Sequence, residues 1–321
     1  MVVVSHWHMT HNGFHSPLTP YGNTGVRIFF VISGYLITSL LLKEQTTTST
    51  ISLGGFYRRR AFRILPAATV FVIAIAIIRW KEVRWYDLGA ALFYLANFNF
   101  FMPSFLAHFW SLAVEEQFYL LWPTVLKKWG QHKTAVLLGV IVFAPFYMTF
   151  CDLLRINASV SFTFPAVADN LAVGSLLAIF APRIRKIPAS LAVLMALVVV
   201  LVPQFHATSK THTLLLLFCF SPLMQICIAG VLLHVVQRPY WLLNIAPVVW
   251  LGKISYSLYL WQQIFFFNPH SKLAEAVIGS LGLACASYYL IEQPMLRLRD
   301  RRKAAVRPIS QAPQAYAAAG D

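Results

Sequence analysis

Acidic side chains are scarce in this sequence. There are 11 Asp and Glu residues against 26 Lys and Arg, and charged residues of all kinds make up only 12% of the chain. A soluble domain usually carries about 25% charged residues, so the composition excludes an ordinary soluble protein. Hydrophobic residues reach 58%, and apolar runs recur along almost the whole length. The composition therefore predicts one integral membrane domain over residues 1–296. A tail over residues 297–321 should be basic at first and disordered at its end.

Cysteine is also rare. The four cysteines lie in or beside apolar runs without paired spacing, which indicates neither a disulfide framework nor a zinc site. The first apolar run is too short for a cleavable signal peptide. A net charge of +15 would suggest nucleic acid as the partner of a soluble protein. Here, however, Lys and Arg collect in short segments between apolar runs, as in cytoplasmic loops. We therefore expect membrane lipids, and no nucleic acid, as partners.

The apolar segments predict an all-α polytopic membrane helical bundle of about ten transmembrane spans. Residues 1–9 are about half a span in length, so the first span is predicted to be truncated at its N-terminus. The basic segments 58–63 and 127–133 should both be cytoplasmic, yet three apolar segments separate them. Residues 87–102 are the weakest of the three, being short and interrupted by asparagines. We predict that this segment is re-entrant or otherwise does not cross.

Two adjacent glutamates interrupt the aromatic, apolar stretch 109–123, FWSLAVEEQFYLLWP. An ionisable group within a membrane span is costly and is by default a functional-site hypothesis. Successive helical residues point about 100° apart, so Glu115 and Glu116 lie on different faces. Glu115 shares its face with Ser111 and Tyr119, which makes it the better candidate for a buried role. We interpret Glu116 as a helix-end or interfacial group. The alternative is a soluble helix with two surface glutamates.

His6 follows a short apolar run, VVVS, at the end of the first segment. A histidine at the end of a span can act as a general base near neutral pH. An interfacial histidine without a catalytic role is the alternative, because His8, His11 and His15 follow closely. These four histidines could also suggest a metal site, but their spacing is loose and no carboxylate joins them. We therefore predict no bound metal.

A basic cluster, Arg58, Arg59, Arg60 and Arg63, precedes the third apolar segment. Simple anchoring at the cytoplasmic face explains some of these residues. Guanidinium groups also suit phosphates, and Arg60 and Arg63 are spaced to share one helix face. Pro66 is predicted to occupy the first turn of the span that follows.

Taken together, these motifs resemble the membrane-bound acyltransferase 3 family, which includes bacterial O-antigen and exopolysaccharide O-acetyltransferases. The resemblance runs from His6 to Pro294. After that histidine the motifs follow in the family's order as GVRIFFVISGYLIT, RRRAFRILP, FWSLAVEEQFYLLWP, GKISYSLYLW and IEQP. Their order and spacing together are highly specific. The chain departs from the family pattern at Arg27, where many relatives have Asp, and at Gln262, where many have His. It also starts too late to include the basic residue that the family carries upstream of the histidine.

The resemblance implies transfer of an acyl group, expected to be acetyl, from acyl-CoA to a hydroxyl of a carbohydrate or lipid-linked glycan acceptor. Acyl-CoA would be a co-substrate, and no bound cofactor is expected. By this resemblance His6 deprotonates the acceptor or briefly carries the acyl group, and Glu115 orients His6. Arg60 and Arg63, with Arg58, would bind CoA phosphates. The expected location is the inner membrane of a bacterium, where the enzyme would modify cell-envelope polysaccharide.

Two other functions fit the same residues. Intramembrane His and Glu also form proton relays, so a proton-coupled transporter or flippase is the main alternative. A structural membrane scaffold is the other. Dependence on acyl-CoA separates the enzyme from the transporter, and a scaffold should tolerate Glu115→Gln.

Overall fold

A computed structural model describes residues 1–12, 18, 20–99, 101–156, 158–208, 216–268 and 270–305, and in these residues it contains helices and turns without a β-strand. The α-helices are α1 (Val2–Asn12), α2 (Pro20–Thr48), α3 (Leu53–Ile78), α4 (Trp85–Leu92), α5 (Ser104–Ala107), α6 (Phe109–Lys128), α7 (Lys133–Leu153), α8 (Phe164–Phe180), α9 (Ala189–Thr208), α10 (Ser221–Gln237), α11 (Ala246–Phe266), α12 (Leu273–Ser287) and α13 (Gln293–Ala305). The predicted all-α membrane bundle is confirmed.

Six helical stretches of the described chain are long and apolar enough to cross a membrane. They are Tyr21–Thr48, Leu53–Ile78, Gly130–Leu153, Ser159–Arg183, Phe218–Gln237 and Leu273–Arg301. Helices α6, α9 and α11 have 20 or 21 residues each and are also about as long as a span. Apolar side chains such as Ile77 and Leu120 point outward and are well over half exposed, as expected for a surface that meets lipid. The predicted count of about ten spans stays a prediction.

Helices α2 and α8 pack with their backbones nearly in contact. A Cβ atom on Gly34 would collide with the carbonyl oxygen of Leu171, and one on Gly174 would collide with that of Val31. Small residues at such a crossing let helices approach closely in a membrane. Gly34 in α2 and Gly174 in α8 therefore permit the close approach of the two helices.

Polar side chains join a third helix to this pair. Thr38 on α2 donates to Ser175 Oγ on α8 over 2.9 Å, and Trp122 Nε1 on α6 donates to Thr38 Oγ1 over 2.8 Å. All three side chains are buried. The network fixes α6 against the α2–α8 pair, which determines where the ionisable residues of α6 lie.

Helix α3 begins earlier than the sequence indicated. Ser52 caps it by accepting the backbone N–H of Gly55 over 3.3 Å, so the basic cluster lies in the first turns of the same helix that continues to Ile78. Pro66 is consequently inside α3, and its predicted place in a first turn is wrong. The loss of one backbone hydrogen bond at Pro66 is outweighed by the continuous buried face, which includes Ile64 and Phe71.

Between α3 and α6 the residues that the structure describes form only short helices: α4, a 3-10 turn at Ala96–Phe98, and α5. The longest of these has eight residues, and a helical span needs about 20. Helices this short agree with the prediction that residues 87–102 are re-entrant or otherwise do not cross. The segment is held by Asp87, which accepts hydrogen bonds from Arg84 and Asn99. Burial alone would raise the pKa of Asp87, but these hydrogen bonds lower it below the ordinary value.

The two basic segments lie at the same end of the bundle. Arg59 pairs with Glu44 near the end of α2, and Gln45 on α2 lines a surface pocket together with Lys127 and Lys133. We refer to this as the basic end. At the far end of the chain, a π-helical turn at Tyr288–Glu292 joins α12 to α13, which carries the basic part of the tail. The predicted disordered end lies outside the described residues.

Candidate active site

A cavity of about 400 Å³ opens at the other end of the bundle, near the N-terminal ends of α2 and α6 and the C-terminal end of α11. We refer to it as the histidine cavity. Its polar lining side chains are Ser5, His6, Asn23, Asn97, Asn99, His108, Ser159, Tyr259 and Gln263. Apolar cavities with a few convergent polar groups are the usual form of small-molecule sites. The short segment between α3 and α6 contributes several of these groups, so it forms one wall of the cavity.

His6 is held in this cavity by the packing of α1 against α11. Its ring lies 4.8 Å from the ring of Phe267, centroid to centroid, and the neighbouring Trp7 packs edge-on against Phe266 at 5.9 Å. His11 Nε2 also contacts the carbonyl oxygen of Ser271 at 3.2 Å. The Nδ1 atom of His6 is enclosed and has no hydrogen-bond partner among the described residues. This leaves Nε2 as the nitrogen that can meet a ligand.

Tyr259 and Gln263 on α11 are fixed where they line the cavity. The hydroxyl groups of Tyr259 and Ser111 are 2.5 Å apart, and Gln263 Nε2 donates to the carbonyl oxygen of Ser104 over 2.7 Å. Tyr259 belongs to the GKISYSLYLW motif, so this motif brings a hydroxyl group to the histidine cavity.

His108 is a cavity residue that sequence reasoning missed. It is buried at the start of α6, and its ring packs edge-on against Phe71 and Tyr259, each with a centroid distance of 5.5 Å. The available signal was its place directly before the FWSL motif, one turn before Ser111. From the sequence alone, His108 is one more histidine at the boundary of an apolar stretch.

Glu115 lies at the centre of a buried polar cluster farther along α6. One of its oxygens accepts hydrogen bonds from Ser33 on α2, over 2.7 Å, and from Tyr119. The same oxygen is 3.3 Å from Arg60 Nη2. The Glu115 side chain is 7% exposed, so this is a true interior site. The predicted choice of Glu115 as the buried glutamate, sharing a face with Tyr119, agrees with this geometry.

Glu116 is also part of this cluster, which corrects its interpretation as a helix-end or interfacial group. Arg60 donates from both Nε and Nη2 to one oxygen of Glu116, over 3.2 and 3.1 Å, and its guanidinium lies 3.7 Å from the centre of the Tyr119 ring. Although the two glutamates point in different directions, the long Arg60 side chain reaches both. The sequence did not show this because α3 and α6 meet only in the folded chain.

The structure does not bring Glu115 to His6. Among the described residues Glu115 interacts with Ser33, Tyr119 and Arg60, and it does not line the histidine cavity. It lies seven residues beyond His108 on α6, which is about 10 Å along the helix axis. The expected direct orientation of His6 by this carboxylate is therefore not formed.

The three predicted phosphate ligands have different surroundings. Arg58 and Arg63 are exposed near the basic end, whereas Arg60 is occupied by the two glutamates. Arg63 interacts electrostatically with Glu292, which is buried and accepts a hydrogen bond from Ser257. Thus only two of the three arginines are free of a direct ion pair within the described residues.

The fold and this site define a polytopic helical membrane protein in which a polar cavity is built around a histidine. Comparison with known proteins supplies the family. A family model described as "Acyltransferase domain" matches residues 1–289, and the chain belongs to this acyltransferase 3 family. The sequence-based resemblance is thereby confirmed.

Two curated bacterial relatives illustrate the match. The chain is 28% identical to the peptidoglycan O-acetyltransferase OatA of Listeria monocytogenes, over 86% of this chain and 50% of that protein. It is 31% identical to the O-acetyltransferase OatA of Staphylococcus aureus, over 85% of this chain and 52% of that protein. The chain spans about half the length of the curated relatives that it matches. No solved structure matches it significantly.

Proposed function

We propose that this protein is a membrane O-acetyltransferase that moves an acetyl group from acetyl-CoA to a hydroxyl group of a cell-envelope glycan, in the inner membrane of a bacterium. The observation that carries the proposal is the histidine cavity, which His6 lines and in which its ring nitrogen Nδ1 is enclosed. Family membership supplies the reaction class. The names of the relatives support O-acetylation, and one of them supports peptidoglycan as the kind of acceptor.

In the proposed reaction, His6 Nε2 removes the proton of the acceptor hydroxyl as its oxygen attacks the carbonyl carbon of the thioester. A carbon–oxygen bond forms, the carbon–sulfur bond breaks, and the leaving thiolate takes the proton back from the imidazolium. Tyr259 and Gln263 line the same cavity and can bind the sugar or the acyl oxygen. We assign Glu115 to the buried cluster with Arg60, which holds α3 against α6 between the cavity and the basic end.

The donor would be held at the basic end. Arg58 and Arg63 are exposed there, and guanidinium groups bind phosphate oxygens well. The thioester arm of the donor would then run along the bundle toward His6. Arg60 has a different role in this proposal because its guanidinium is already neutralised by carboxylates.

The first experiment compares His6→Ala with His8→Ala in purified protein reconstituted in nanodiscs. His8 lies on the same helix but does not line the cavity. With acetyl-CoA and a peptidoglycan-derived glycan, wild-type protein and His8→Ala should release free CoA thiol and form the acetyl ester. His6→Ala should lose about 100-fold or more in rate, because removing a general base costs that much. Equal rates in the two variants would contradict the role of His6, and a wild-type protein that is indifferent to acetyl-CoA would favour the transporter.

The second experiment tests where the donor binds by changing Arg63, in the first half of α3, and Arg79, which caps the C-terminal end of that helix. Arg63→Ala should raise the KM for acetyl-CoA about tenfold, because a hydrogen bond to a charged group contributes about 1.5–3 kcal/mol. Arg79→Ala, at the opposite end of the same helix, should leave this KM unchanged. The reverse result would place the donor at the histidine end.

A further inference from the structure

A second cavity, of about 370 Å³, adjoins the histidine cavity and contains Arg27. We refer to it as the arginine cavity. The two cavities share part of their lining, including Asn23, Val26, Trp110 and Phe162. A molecule of more than one sugar unit in contact with His6 would therefore extend naturally into the arginine cavity.

The charge of Arg27 has no direct ion pair within the described residues. Arg27 Nη1 donates one hydrogen bond, to Ser221 Oγ over 2.8 Å. Asp169 is the carboxylate that interacts with it electrostatically, but no oxygen of Asp169 lies within ion-pair distance. The only acidic side chain outside the described ranges is Asp321, at the C-terminus. The undescribed residues before position 306 therefore contain no carboxylate that could pair with Arg27.

Both oxygens of Asp169 accept hydrogen bonds from neutral donors. Gln225 Nε2 donates to one of its oxygens over 2.5 Å, and the side chain and backbone N–H groups of Asn170 donate to the other over 2.7 and 2.8 Å. The guanidinium of Arg27 has five N–H donors, and most of them are available to a ligand because one donates to Ser221. A cation in a largely apolar site is costly unless it is paired, so the arginine cavity is suited to an anion.

The walls of the arginine cavity indicate what carries that anion. The rings of Trp110 and Phe162 lie 4.9 Å apart, centroid to centroid, beside Arg27. Such a surface suits the apolar faces of sugar rings, and a guanidinium binds a carboxylate through two parallel hydrogen bonds. We infer that the arginine cavity is an acceptor subsite in which Arg27 binds the carboxylate of an acidic glycan, so that the hydroxyl presented to His6 belongs to that sugar or its neighbour.

This inference rests on the proposed function, but its test is separable from catalysis. The probe is the N-acetylglucosaminyl–N-acetylmuramic acid disaccharide with a free carboxylate, compared with the same disaccharide as its primary amide. Binding is measured by titration calorimetry on the His6→Ala protein in nanodiscs, in the absence of acetyl-CoA so that no acetyl transfer occurs. The protein should bind the acid about 10- to 100-fold more tightly than the amide, and Arg27→Gln in this background should abolish that preference.

Two further variants define the result. Arg27→Lys keeps the charge but not the paired geometry, so its preference for the acid should be intermediate. Arg155→Gln removes an exposed arginine that lines neither cavity and should change nothing. Unfolding of each variant in detergent checks that it is folded.

The inference is overturned if the protein binds acid and amide equally, if it binds neither, or if Arg27→Gln keeps the preference. It is also overturned if Arg27→Gln weakens the binding of acetyl-CoA instead, since the anion at Arg27 would then be a donor phosphate. Failure of the proposed function looks different: the acid would still bind through Arg27, but wild-type protein would release no thiol.

Discussion

Replacing Arg60 with glutamine should destabilise the protein far more than the same change at its neighbour Arg59. Both arginines lie in the first turns of α3 and both pair with glutamate. The Arg60 side chain is 18% exposed and contacts Glu115 and Glu116, which are 7% and 21% exposed. Arg59 is 44% exposed and pairs with Glu44. The two positions therefore differ mainly in burial and in the number of carboxylates that lose their cation.

The expected magnitudes follow from that difference. Removing one partner of a buried ion pair costs about 3–5 kcal/mol, because the remaining charge stays buried and uncompensated. Arg60→Gln also removes the stacking on Tyr119, which contributes about 0.5–2 kcal/mol. An exposed pair such as Arg59–Glu44 contributes about 0–1 kcal/mol. We expect a difference of at least about 2 kcal/mol between the two variants.

The measurement is the free energy of unfolding of the purified chain in mixed micelles, as SDS is added and tryptophan fluorescence is followed. The double variant Arg60→Gln/Glu116→Gln should recover part of the loss, since it leaves one carboxylate without a cation instead of two. Equal destabilisation by Arg59→Gln and Arg60→Gln would refute the reasoning, as would a double variant less stable than the sum of its single changes.

Two more predictions test the packing of the fold. Gly174→Ala should cost about 1–3 kcal/mol of unfolding free energy in the same assay, because its new methyl group meets the backbone of Val31, which cannot rotate away. Gly139→Ala, with open space around it in α7, should change stability by no more than about 1 kcal/mol, and equal losses would contradict the close helix crossing. Because the pKa of Asp87 is lowered in the fold, its contribution to stability is present above its ordinary value of 3.8 and is lost as the pH falls through the folded value. Hydrogen-exchange protection factors of residues 85–99 should therefore fall in the wild-type chain as the pH drops below 3.8, and a similar fall in Asp87→Asn would refute this assignment.

The predicted fold class depended on properties that a sequence carries locally. Apolar length predicts helices in a membrane, because backbone polar groups in lipid must be satisfied within the helix. Counting positive segments also predicted that residues 87–102 are re-entrant or otherwise do not cross, and the structure has short helices there. The start of α3 was misjudged because a proline inside a continuous helix looks the same in sequence as a proline that begins one.

Only part of the candidate site could be predicted from the sequence. His6 and Glu115 stood out because ionisable groups are rare in apolar surroundings. Glu115 does lie in a buried polar cluster, and the half-buried His6 lines a cavity with polar walls. The sequence did not show whether His6 and Glu115 meet, because that depends on which turn of α6 lies beside His6 in the folded chain. The cavity residue His108 was missed and the half-buried Glu116 was misassigned for the same reason.

The sequence by itself thus determined the helical membrane bundle, its family and the buried position of Glu115. These follow from the length of the apolar segments, the scarcity of charged residues and the order of the motifs, which are all local properties of the sequence. The tertiary structure alone decided that Arg60 joins both glutamates, that His6 and Glu115 occupy separate environments, and that Arg27 faces a cavity beside that of His6. These are distances between side chains on different helices. Small residues such as Gly34 and Gly174 set those distances by letting the backbones of α2 and α8 meet.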